Sequence, residues 1–517
     1  MGKEDNNYAK QQLIVVNDVH KPSYAIRTNV ASVALGRYDF QKPKPLSPNM
    51  LKLYAIMGIG YLVSTMNGFD NSKTFGLYGE GSTTGIIFII YKLGRIAAFP
   101  FCGFFADGYG RRVCIFVGCL LILVGTAVQA SARGMGQFIG GGFVLGCGAS
   151  IASAAGPAYT VELAHPAYRG TMARMYNSFW WLGNILAGWT TYGTNLHLES
   201  SSWAWRLPSV VLALVLFFPE SPRWLISKDR HEEAIVVLAK YHGDDNPEAP
   251  IVQLQVREIC DDFAVTHNEN PWWDFRELGN TKAARYRLAM VIAMAVYGQW
   301  SGNNVVSYSM PAMIKNAEIT DTNRQLLINA INPIFSMLGA INGATLLDKL
   351  GRRKMLMGGL IGGLFSYCLL TAFTATAKPS NDLAYGTIVS IYLFGIFFAW
   401  GWTPLQTLYA IECLENPTRA KGSRLNFLFL NVAMVINTYG ISIGIEKIGW
   451  KLYLVYIAWI CVEISAIYWF FVEIAGKTPE ELREIFEAPN PRKASNKRIK
   501  IEMDERGQVL HVEDRGV

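Results

Sequence analysis

The stretch "DGYGRR", Asp107–Arg112, decides how this chain is read, because it returns later as "DKLGRR", Asp348–Arg353. One charged loop of this kind is ordinary. A second motif, however, comes back in the same order: "YTVELAHPAYR", Tyr159–Arg169, reappears as "YAIECLENPTR", Tyr409–Arg419. In both copies Glu follows Tyr by three positions and Arg follows Glu by seven, so Tyr159, Glu162 and Arg169 correspond to Tyr409, Glu412 and Arg419. Two motifs repeated in register mark a duplicated unit.

The composition says where that unit resides. The chain has 517 residues, of which 51% are hydrophobic and only 17% charged, where a soluble chain would carry about a quarter charged. Apolar runs fall near 51–70, 83–105, 113–132, 137–160, 176–195 and 207–218, and again near 288–312, 325–347, 354–376, 384–411, 425–445 and 451–472. A bilayer core of about 30 Å takes about 20 apolar residues per helix, and lipid leaves no partner for unpaired backbone, so these runs are expected to be helices. The expectation is an all-α membrane protein of twelve helices in two six-helix halves, the architecture in which a substrate site lies between repeats and access alternates.

The expected organisation is a cytoplasmic N-terminal tail (1–50), a first half (51–219), a cytoplasmic linker (220–287), a second half (288–473) and a cytoplasmic C-terminal tail (474–517). Within the linker, "HEEAIVVLAKYH" has helical periodicity with charge on one face. The C-terminal tail reads as a short capped helix followed by a basic disordered end. Arg111, Arg112, Arg169, Arg174, Lys349–Lys354 and Arg419–Arg424 gather on one side of the expected spans, which puts that side and both termini in the cytoplasm. The first fifty residues show no signal-peptide pattern. The eight cysteines are scattered, without a CxxC, and read as small buried hydrophobes. Net charge is +7, but no folded basic and aromatic patch suggests nucleic acid. No nucleophile–base pair, metal-ligand cluster or phosphate loop suggests an enzyme, a metal or a cofactor. The glycines of "GGFVLGCG" and "GGLIGG" lie inside apolar spans and read as close helix packing.

Together with "PESPRWL" (Pro219–Leu225), "GQWSGNNVVSY" (Gly298–Tyr308) and "VEIAGKTPEEL" (Val472–Leu482), the repeated loops resemble the sugar porter family of the major facilitator superfamily, and within it the fungal hexose and lactose-permease-like branch, over roughly residues 50 to 490. The resemblance implies a major facilitator fold and a transporter of a hexose or disaccharide in the plasma membrane, expected to be monomeric. It implies a cytoplasmic gate in which Asp107, Arg111, Arg112, Glu162, Arg169, Glu220 and Arg223 serve the first half. Asp348, Arg352, Arg353, Glu412, Arg419 and Glu473 serve the second. Charge pairs that form in one conformation and break in another bias an equilibrium without touching substrate.

Sugar hydroxyls call for uncharged groups that both donate and accept, and amides supply them. Gln299, Asn303 and Asn304 sit in an otherwise apolar span. The resemblance places Gln299 and Asn304 at sugar-contacting positions, where members often carry a glutamine pair; here the first of the two is Gly298. Asn177 and Thr407 fall in slots that members often fill with glutamine and tryptophan. Trp402 and Trp300 are aromatic candidates nearby, and Asn431 is a further amide, although any one amide can also be helix–helix glue. Asp70 matches the acid associated with proton coupling in family symporters, but its usual arginine partner is replaced by Gly142. Lys92 and Arg95 stand within a span that is usually neutral in the family; compensation by Arg95, snorkelling and water contact are all open.

The sixth span is short. From Pro208 to Phe218 a helix rises about 16 Å, half the hydrocarbon core, and the connection after Asp70 is short as well. Coding segments lost at splice junctions and a divergent copy with a thinned helix both account for this. Beside transport stand two other readings: a sugar sensor of the same fold that signals without transporting, and an inactive product.

Overall fold

The computed structural model describes residues 81–164, 180–186, 188–189, 192–193, 220–242, 246–266, 275–306, 322–375, 381–477, 479–495, 498–503 and 509–515. The expected first and sixth spans, and with them the short sixth helix, lie outside the described residues, as do parts of the fifth and the end of the seventh.

Three long helices form the described core of the first half: α1 (Gly81–Gly108), α2 (Arg111–Ala130) and α3 (Met135–Leu163). The linker contributes α4 (Pro222–Ser227), α5 (His231–His242), α6 (Pro250–Thr266) and a 3-10 turn at Arg276–Leu278. The second half contains α7 (Lys282–Trp300), α8 (Thr322–Leu350), α9 (Arg352–Ala375), α10 (Asn381–Gly401), α11 (Leu405–Glu412), α12 (Asn416–Ile448) and α13 (Leu452–Phe470). Among the described residues, seven helical stretches are long and apolar enough to cross a membrane. The apolar runs become helices because each backbone group then finds its partner within the segment. The expected linker helix is α5, and its His242 ring reaches the carbonyl of Leu163 at the end of α3 (3.1 Å).

Two spans that read as continuous are broken. After α7, Ser301 Oγ donates back to the Tyr297 carbonyl. Gly302 then adopts φ 93°, its carbonyl accepts from Tyr367 OH (2.8 Å), and a helical turn resumes at 303–306. The run expected at 384–411 is interrupted at Trp402–Pro404 between α10 and α11; proline supplies no N–H and clashes with the preceding turn. The tail also differs from the expected disordered end. It forms α14 (Pro479–Glu487), α15 (Pro491–Ser495) and an antiparallel hairpin of β1 (Arg498–Met503) with β2 (Val509–Arg515).

The larger apolar cluster lies in the second half around Tyr367, Trp402, Tyr409 and Phe471, and a smaller one in the first around Cys114, Ile151 and Tyr159. The halves meet where α1 packs on α12. They also meet where Trp181 Nε1 donates to Thr403 Oγ1 (3.3 Å), in the break of the tenth span.

Candidate functional site

The repeated loops fold into matching charge clusters. In the first half, Arg111 pairs with Glu162 (Nε to Oε2, 3.4 Å) and donates to the Ala106 carbonyl (2.9 Å). Glu220 reaches the first turn of α2, where both of its oxygens accept the Arg112 backbone N–H (3.1 and 3.2 Å) and one also accepts that of Ser221 (2.9 Å). Ser221 Oγ donates to Glu162, joining the two acids into one cluster. In the second half, Arg352 forms a fork onto Glu412 (3.1 and 3.2 Å) and also holds Asp348 (3.3 Å). Glu473 accepts the backbone N–H of Arg352 (2.9 Å) and, on its other oxygen, that of Arg353 (3.1 Å).

The two outer acids are therefore helix caps. An α-helix begins with unpaired N–H groups and the positive end of its dipole, and a carboxylate satisfies both. The glycine before each helix makes room. Gly110 has φ 100° and Gly351 φ 87°. A Cβ would stand 2.6 Å from a Glu220 oxygen in the first case and 2.7 Å from a Glu473 oxygen in the second. Burial raises the Glu220 carboxyl above the usual glutamate range, against the pull of the N–H bonds from Ser221 and Arg112. The repeated tyrosine has a task as well: Tyr409 OH donates to the Val472 carbonyl (2.9 Å) and accepts its N–H (3.2 Å), fixing the strand-like segment that carries Glu473. The contacts just described each join elements of one half. Arg223 lies in the first turn of α4 and Arg419 near the start of α12, both half-buried. Arg169, Asn177 and Asp70 fall outside the described residues, as does the side chain of Asp107.

The amides gather at the break after α7. Gln299 and Asn304 are buried, and Asn303 is half-buried. Asn304 Nδ2 donates to the Gln299 carbonyl (3.1 Å) and side-chain oxygen (3.4 Å). Trp402 is fully buried, stacks on Phe398 and leaves its indole N–H without a hydrogen-bond partner among the described residues. Trp300 is committed elsewhere, donating to the Ala433 carbonyl on α12 (3.0 Å). Asn431 bonds back to Phe427 (2.6 Å), one turn down its own helix, while its side-chain oxygen has no partner among the described residues. Thr407 is half-buried on α11.

Two amides that motif spacing did not single out, Asn437 and Gln406, join this site. Asn437 on α12 donates to the Gln299 carbonyl (2.6 Å) and accepts from Tyr456 OH (2.7 Å). Asn332 and Ser336 on α8 are also buried, with oxygens lacking hydrogen-bond partners among the described residues, but they face Gly395 of α10. Gln406 on α11 fills the hollow left by Gly298: a Cβ there would stand 2.8 Å from its amide nitrogen. The glutamine absent from position 298 thus has a neighbouring amide in its space. Polar residues inside apolar helices were the available signal, but which helix faces converge depends on the breaks.

The charged residue Arg95 of α1 is placed away from the glycine slot. Gly142 faces Gln129 and Ile90. The buried Arg95 guanidinium lies 4.7 Å over the Phe427 ring of α12, across the seam, and 5.8 Å from Tyr91. Lys92 is fully buried.

Paired helical halves with polar groups at broken membrane helices define a multi-pass membrane transporter. The sugar (and other) transporter family model matches residues 47–486, and the chain belongs to this family. It is 27% identical over 486 residues to a high-affinity glucose transporter of Kluyveromyces lactis, covering 85% of this chain and 86% of that protein. It is 28% identical over 424 residues to the sugar transporter STL1 of Saccharomyces cerevisiae (79% and 72%), and 26% over 511 residues to a quinate permease of Neurospora africana (90% and 93%). Among solved structures, the E. coli proton:xylose symporter XylE bound to 6-bromo-6-deoxy-D-glucose superposes with a TM-score of 0.68 at 19% identity, over 85% of this chain and all of that one. The likeness carries the major facilitator fold.

Proposed function

We propose that the chain carries a hexose or disaccharide across the plasma membrane as a monomer, by rocking its two halves around the amide cluster, with protons as co-substrate. Both termini and the linker lie in the cytoplasm in this reading, and the two charge clusters form the cytoplasmic gate. One observation supports it above the rest: Gln299, Asn304, Asn437 and Gln406 from three broken or neighbouring helices meet, and the Gln406 backbone N–H donates to the carbonyl of the fully buried Trp402 one turn before it. Convergent amides suit hydroxyl groups, and an aromatic wall suits the apolar face of a sugar ring. The names of the fungal relatives, for glucose, sugars and quinate, point to polyhydroxylated solutes.

The buried Lys92 and Arg95 favour a second substrate class, a polyol bearing a carboxylate. Thermal unfolding of the purified chain with glucose, lactose and quinate separates the two. The reading predicts stabilisation by a neutral sugar that is lost in Gln299→Ala; stabilisation by quinate alone selects the acid. A sugar effect unchanged in Gln299→Ala removes this pocket.

A further inference from the structure

Glu463 lies near the middle of α13 with no solvent exposure, and neither the charge clusters nor the amide cluster uses it. One carboxyl oxygen accepts the indole N–H of Trp459 (2.6 Å); the other has no hydrogen-bond partner among the described residues. Among the described residues, the titratable groups that interact with it are Tyr456 on its own helix and Tyr297 on α7; Trp300 on α7, Tyr367 on α9 and Asn437 on α12 stand one contact further out, against Trp459 or Tyr456. None of these is cationic. Arg352 and Arg353 are held at the first turn of α9, and Lys447 and Lys451 are exposed at the far ends of α12 and α13. An ionised carboxylate without a cation is costly inside a membrane protein, whereas the neutral acid is tolerated and can also donate a hydrogen bond.

Two contacts connect this group to the amide cluster. The Trp459 ring packs on Trp300 (5.3 Å) and Tyr297 (6.4 Å), and Trp300 follows Gln299 directly. Two turns before Glu463 on the same helix, Tyr456 donates to Asn437, which donates to the Gln299 carbonyl. We infer that Glu463 is a proton-binding site of the transport cycle, read by the substrate helix through Trp459; the inference rests on the transport reading above. A proton taken from water makes the neutral acid and keeps Trp459 against Trp300. Its loss puts a bare charge in an apolar pocket, so α13 must turn or admit water, and α7 loses its support. Proton and solute then favour the same arrangement, and each raises the affinity for the other.

The test uses the full chain purified in detergent. Glu463→Gln keeps the size and the acceptor for Trp459 but cannot titrate, and Glu463→Asp keeps the titration. Infrared difference spectra between acid and alkaline pH are expected to show a protonated-carboxyl band that is missing in Glu463→Gln and present in Glu463→Asp. Solute affinity is expected to fall by about tenfold as the wild-type pH rises, and to stay flat in Glu463→Gln. An unchanged infrared band, or a wild-type pH dependence of affinity, in Glu463→Gln overturns the site. If no tested solute binds any variant, the transport reading is what fails, and the infrared band alone decides on the proton.

Discussion

The two charge clusters share a sequence pattern but not a geometry. In the second half, Arg352 grips Glu412 with a two-point fork and Glu473 caps two successive N–H groups of α9. In the first half, Arg111 sits farther from Glu162, at 3.4 Å and 3.5 Å, and among the described contacts Glu220 caps one N–H of α2. A serine hydroxyl, Ser221, makes up the difference by bridging to Glu162. The C-terminal tail tightens the second cluster further, because the Glu473 N–H donates to Ser495 Oγ of α15 (3.3 Å). A duplicated loop thus serves as a firm joint in one half and a looser one in the other.

The largest effect is expected at the firm cap. Glu473→Ala leaves two helix N–H groups without their acceptor, and is expected to cost about 3 kcal/mol of stability, against about 1–2 kcal/mol for Glu220→Ala. Thermal unfolding of the two variants measures the gap, and equal losses erase the contrast. Next in size, Glu412→Gln breaks a charged fork and is expected to cost about 1–2 kcal/mol, while Glu162→Gln, at longer range and with serine in support, costs about half that.

The smallest effect is in pH. Burial holds the Glu220 carboxyl above its ordinary range. A raised folded value means that its stabilising contribution is complete below the unfolded value, about 4.3, and is lost as pH climbs through the folded one. Relative to Glu220→Gln, the wild type should therefore lose a little stability as pH rises from about 4.3. A gain over that window would reverse the sign of the argument.

Much of this was legible in the sequence. The repeated "GRR" turns and the acids three residues after Tyr159 and Tyr409 carried the duplication, and the long apolar runs carried the helices. "GQWSGNN" carried the amides of α7. The partner of each acid was less visible. Sequence offers arginine side chains as obvious mates for Glu220 and Glu473, yet both spend their oxygens on backbone N–H groups, which no side-chain pattern records. Helix breaks were also hidden, because the runs around Ser301–Gly302 and Trp402–Pro404 stay apolar enough on either side to read as single spans. With the breaks unseen, the approach of Gln406 to Gly298 and of Asn437 to Gln299 could not be read from spacing.

The account depends on two halves that rock around a solute, and the most direct measurement is a distance between their repeated loops. Spin labels at the exposed Tyr109 and Leu350, with the accessible Cys260, Cys368 and Cys461 replaced, report it by pulsed electron resonance. The account predicts two distance populations whose balance shifts when a transported sugar is added, and a shift that disappears in Gln299→Ala. A single distance, indifferent to every sugar and to that substitution, contradicts it.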